Sequence, residues 1–155
     1  MSVLRHLFPK QVDNSFDGVR PALWLLGLVI AMKLAMSLNS IFNTADVAGN
    51  ADGIPLASFG PDAARQVFEL FALMALGHLF LTLVALAALI RWRALVPFAY
   101  LVLLGEFLVR RVIVWSYAAP GAESTTVALI VNSSLAMLLT LGLILSLIPG
   151  RASQG

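Results

Sequence analysis

The chain alternates between four long apolar runs and shorter polar interruptions. The runs extend over about 21–41, 62–90, 94–117 and 124–148. Each is apolar around most of its circumference, which marks a helix that faces lipid on several sides. Each also reaches the roughly 20 residues needed to cross the hydrocarbon core. Continuous runs, not short alternating segments, exclude a transmembrane β-barrel. The pattern predicts an all-α integral membrane four-helix bundle, with four transmembrane helices and both termini on one side.

The polar interruptions carry the expected punctuation. Pro21, Pro61 and Pro97 fall in first helical turns, where a missing N–H is harmless. Asp62 suits a helix start, and Pro149-Gly150 ends the fourth run. Between the first two runs lies a long loop, Phe42 to Gly60, rich in turn formers. Arg91-Trp92-Arg93 makes a tight connection, and the segment 118–123, with Pro120-Gly121, makes a short turn. Residues 149–155 form a short tail. The first twenty residues are mixed in character, and two readings stay open for them. Leu4–Phe8 with Val12 and Phe16 suits an interfacial amphipathic helix; the other reading is a loose tail. Lys33 interrupts the first run after a long polar lead, so an uncleaved span is expected in preference to a signal peptide.

Composition agrees with a lipid solvent. Of 155 residues, 60% are hydrophobic and only 12% charged, with a mean hydropathy of +0.93. A soluble domain is about a quarter charged, and one this small cannot bury so much apolar surface. Cysteine is absent, which removes disulfides, thiolate catalysis and cysteine-ligated metals. The net charge of +2 does not imply nucleic acid, because the basic residues form no long run. They segregate by side instead. Arg5, Lys10, Arg20, Arg91, Arg93 and Arg151 fall with the termini and the second-to-third connection. The opposite loops hold Asp46, Asp52 and Glu123 and no Lys or Arg. The positive-inside rule then predicts cytoplasmic N and C termini, and the compact form suits a bacterial inner membrane.

Charged residues inside spans usually face the bundle interior. At 1.5 Å rise per residue, Lys33, His78 and Glu106 each lie about 18 Å from the inner boundary, on three different helices. Asn132, on the fourth, lies about one turn further out. Glu106 and Arg110 share a face. Lys33, Ser37 and Ser40 share another, and so do Asn39 and Asn43. Arg110 is placed to reach back to Glu106, while Arg111 snorkels at the outer interface. Glu69 is about 180° from His78 around its helix and so belongs to the outer interface. With Asn43, Asp46 and Asp52, it forms an outer-face set. Lys33, His78, Glu106, Arg110 and Asn132 form the expected intramembrane polar cluster, with His78 and Asn132 bonding between helices. The cluster reads either as helix–helix glue or as a protonatable or ligand-binding site.

No catalytic constellation stands out. There is no nucleophile elbow and no phosphate-binding glycine loop. Asp46, Asn50 and Asp52 miss the EF-hand pattern, and His78 lacks a second histidine at its depth, so neither metal nor cofactor is expected. Met32, Met36, Met74 and Met137 read as filler. The leading expectation is a non-catalytic membrane subunit or a small-ligand or lipid-binding bundle. Its partners would be membrane lipids, with a membrane protein partner or self-association. A proton-coupled transporter using Glu106, Lys33 and His78 is the alternative. A membrane enzyme acting on a lipid-soluble substrate beneath the Phe42–Gly60 loop is the third reading.

Overall fold

The computed structural model describes residues 3–117 and 125–150. The expected turn around Pro120-Gly121, together with Glu123, Ser124 and Arg151, lies outside them. Among the described residues the protein is all-helical. A short α1 (Val3–Leu7) precedes α2 (Pro21–Phe42); a turn, α3 (Thr44–Asp46), then leads into a π-helical turn at Val47–Ala51. The long α4 (Pro61–Arg91), α5 (Val96–Ser116) and α6 (Thr126–Leu147) complete the chain. The Phe42–Gly60 loop is therefore not irregular throughout: helical turns also occupy Leu56–Ser58. Gly53, at φ 72°, makes the reversal that an L side chain would resist.

Local chemistry sets the helix ends. Pro21 and Pro61 stand in the first turns of α2 and α4, and Pro97 in that of α5. The α6 terminus is capped by Thr125, whose Oγ1 accepts from Ala128 N at 3.1 Å. The 31 residues of α4 extend for about 46 Å, well beyond a hydrocarbon core of about 30 Å.

Three helices, α2, α4 and α6, are long and apolar enough to cross a membrane. The expected fourth span, α5, is 21 residues long and falls short of that description through its charge. Every stretch of eighteen residues within it contains Glu106, Arg110 and Arg111.

The four long helices run alternately up and down. Val19 N donates to Leu145 O at 3.3 Å, which sets the start of α2 beside the end of α6. Tyr100 Oη donates to Ala22 O at 2.7 Å, which pairs the starting halves of α2 and α5. Each helix packs on its sequence neighbour, and α6 closes the set against α2. The core sits towards the end that holds the α2 N-terminus. It comprises Leu26 and Val29 from α2, Ala85 and Ala88 from α4, Val96, Tyr100 and Leu103 from α5, and Leu139 from α6. Large apolar side chains also cover the outside, among them Leu70, Phe80, Val84, Val109, Val112 and Ile130. Water would not favour so continuous an apolar exterior.

Beyond α1, the N-terminal segment crosses the end of the helices as a strap. Ala94 N donates to Asp13 O at 3.3 Å and Gly150 N to Asp17 O at 2.7 Å. The Phe8 and Phe98 rings stand 5.6 Å apart. Gly18 is buried where the strap meets α6, and a Cβ there would collide with Ser146 O.

Candidate functional site

Glu106 is the hub of the polar side chains within the long helices. Lys33 Nζ from α2 donates to its Oε2 at 3.1 Å. His78 Nε2 from α4 lies 2.9 Å from Oε1, and Arg110 Nε, one turn along α5, donates to the same Oε1 at 3.1 Å. One carboxylate therefore joins three helices. The Lys33 side chain is only 5% exposed, while Glu106, His78 and Arg110 are partly buried. A lysine so deeply enclosed needs its anion, because an isolated charge in such a place is strongly disfavoured. Neighbouring backbone atoms support the arrangement. Thr82, fully buried one turn beyond His78, donates from Oγ1 to His78 O at 2.7 Å.

Asn132 does not join this hub. Its Nδ2 donates to Ala128 O, one turn back in α6, at 2.7 Å. The expectation that it bonds between helices is thus corrected: the carbonyl four residues back is the nearer acceptor. Asn43 and Asp46 also bond locally. Asn43 Nδ2 donates to Asn39 Oδ1, and Asn50 Nδ2 to Asp46 Oδ1, each at 2.7 Å. Glu69 is exposed on α4, away from Glu106.

The hub borders a cavity of about 590 Å³. All four long helices contribute to its wall. Its polar lining comprises Lys33, Ser37, His78, Arg110, Arg111 and Asn132, interleaved along the helices with the apolar Met36, Phe71, Met74, Val114, Val127 and Val131. Val47, Ala51, Asp52 and Ile54 from the π-helical turn and the residues after it close one end. That roof is tied to α6 by Thr125, whose Oγ1 donates to Ala51 O at 2.6 Å. Asp52 stands at the solvent edge of the roof. Burial pushes its carboxyl above the ordinary value of 3.8, and the charges of Arg110 and Arg111 pull it the other way.

Sequence reasoning passed over several of these residues. Met36 and Met74 were read as filler, yet both line the cavity. The available signal was spacing: Met36 lies three residues after Lys33, and Met74 four before His78, so each shares a face with a cluster residue. Thr125 both caps α6 and holds the roof, a role that no motif announces. A second hollow, of about 360 Å³, lies under the strap, beside His6, Lys10, Asp13 and Asp17. Among the described residues no group of three His, Asp or Glu side chains is arranged to hold a metal ion.

No protein-family model matches this sequence, and searches of curated proteins and of solved structures find no match.

Proposed function

We propose that this protein is a non-catalytic, membrane-embedded binder of a lipid-like amphiphile, seated in the cavity beneath the Val47–Ile54 roof. One observation carries the reading: a 590 Å³ hollow whose lining mixes many apolar side chains with Lys33, His78, Arg110 and Arg111. Small-molecule sites are mostly apolar clefts of about 300–1,000 Å³ with a few convergent polar groups. On this reading α5 is the fourth span, its charges turned to the hub and cavity. The basic residues near the strap and the Arg91–Arg93 connection support cytoplasmic termini, and we read the membrane as a bacterial inner membrane. The roof would face outwards.

The Glu106 hub holds α2, α4 and α5 in register around the cavity, so glue and site are parts of one design. The carrier alternative receives less support. A carrier needs a route on both sides of its site, and here the half around Tyr100 is filled by Leu26, Leu103 and Leu139. The cavity position also suits an enzyme acting beneath the roof, but among the described residues the His78–Glu106 pair beside it has no hydroxyl nucleophile bonded to it.

The test is native mass spectrometry of delipidated protein returned to a membrane lipid extract in nonionic detergent. The expected result is one amphiphile adduct per chain, lost in Val131→Trp, whose indole would fill the cavity. Equal adducts in wild type and variant would overturn the reading. Topology is checked separately, and the absence of native cysteine makes labelling clean. Ser58→Cys should react with an impermeant thiol reagent in intact cells, and Ser15→Cys should not.

A further inference from the structure

We propose that the occupant of this cavity is an anionic amphiphile, carrying one net negative charge on a phosphodiester or carboxylate head. The proposal rests on the lipid-binding reading and names the ligand's charge. The first support is a count of fixed charges in and beside the cavity wall. Among the described residues Lys33, Arg110 and Arg111 supply three cations, and Glu106 and Asp52 two carboxylates, a surplus of one positive charge. In a hollow bordered by apolar side chains such a surplus calls for a counter-ion.

The second support is the state of the arginines. Arg110 commits its Nε to Glu106. Its two terminal nitrogens, and the whole guanidinium of Arg111, make no hydrogen bond or ion pair with any described residue. Adjacent helical residues point about 100° apart, yet both Arg110 and Arg111 line the hollow. The space therefore borders two arginines, whose planar forks suit the paired oxygens of a phosphate or carboxylate. Beyond these forks, Met36, Met74 and Val127 offer an apolar bed to the attached chain.

The probes are three lipids with the same lauroyl chain: lysophosphatidylglycerol, lysophosphatidylcholine and monolauroylglycerol. Inorganic phosphate serves as the free anion. Binding to the full chain in maltoside detergent is read by native mass spectrometry and by competition. Lysophosphatidylglycerol should bind about ten-fold tighter than either other lipid, because monolauroylglycerol has no phosphodiester and the choline cation of lysophosphatidylcholine cancels its net charge. Arg111→Gln should erase that preference. Asp52→Asn, at the rim, should strengthen lysophosphatidylglycerol binding, so a second variant reads the same charge balance. If the three lipids bind equally, the charge inference falls and the lipid-binding reading stands. If none binds, both fall. If inorganic phosphate displaces lysophosphatidylglycerol at matching concentration, the occupant is a free anion and the amphiphile is overturned.

Discussion

The ring of Tyr100 occupies the space where any side chain at position 142 would begin. A Cβ on Gly142 would overlap the phenol, whose Oη donates to Ala22 O. Gly142 is buried in α6 and Tyr100 is fully buried in α5. This pair thus sets how closely α5 and α6 approach. Gly142→Val is expected to destabilise the protein by about 1–3 kcal/mol, the usual cost of overfilling a packed contact. Gly77 and Gly105 have open space at the same atom. Alanine at either should be neutral or stabilising by up to ~1 kcal/mol. Thermal unfolding of the three variants in one detergent checks the contrast.

Glu106 is unevenly coupled to its partners. Removing its charge strands Lys33 and Arg110 together, whereas removing Lys33 leaves the carboxylate bonded to His78 and Arg110. Glu106→Gln is therefore expected to cost about 3 kcal/mol, as breaking a buried pair does. Lys33→Met should cost only about 1 kcal/mol, the scale of one interhelical hydrogen bond in a membrane. The double variant should recover part of the Glu106→Gln loss. Equal losses from the two single variants would contradict the hub.

The common height of Lys33, His78 and Glu106 was legible from sequence because a helix advances regularly along its axis. The Glu106–Arg110 contact was legible for the same reason, since residues four apart share a face. What happens between helices was not. Which carboxylate oxygen takes which donor depends on how far each helix is rotated about its axis, and no residue spacing encodes that. The cavity was hidden likewise, because a void is a property of packing and not of any single run. Asn132 shows a further gap: an amide four residues from a carbonyl can bond back to its own helix. In the Phe42–Gly60 loop, turn-forming residues masked the helical turns at Thr44–Ala51.

Thr125 joins two functions in one oxygen, capping α6 and donating to Ala51 O in the roof. Thr125→Ala should lower stability by about 1 kcal/mol through the lost cap. It should also free the roof. Hydrogen exchange of the amides of Asp52 and Ile54, which bond to Val47 O and Ala48 O, should quicken more than that of the α6 interior. Uniform quickening along the chain would leave the cap without its second role.

Asp52 makes the charge of the cavity mouth depend on pH. Burial raises its carboxyl pKa above 3.8. A group so shifted takes up its proton more readily in the folded chain than in the unfolded one. Folding stability therefore gains as pH falls through the raised value, and the gain is complete near 3.8, where the unfolded carboxyl titrates as well. Above the raised value the carboxylate carries its full desolvation cost, partly offset by Arg110 and Arg111. An anionic head group beside those arginines meets the carboxylate as a like charge. Its affinity should therefore rise as pH falls from about 7 towards 3.8. Among the described residues the other charged or titratable groups in and beside this space are Lys33 on α2, His78 on α4, and Glu106, Arg110 and Arg111 on α5, while the polar lining from α6 is the neutral Asn132. Asp52→Asn is the separating variant. It should bind lysophosphatidylglycerol more tightly at neutral pH and lose most of the pH slope, because that lipid's phosphodiester keeps its charge throughout. If the full slope persists in Asp52→Asn, Asp52 does not gate the site.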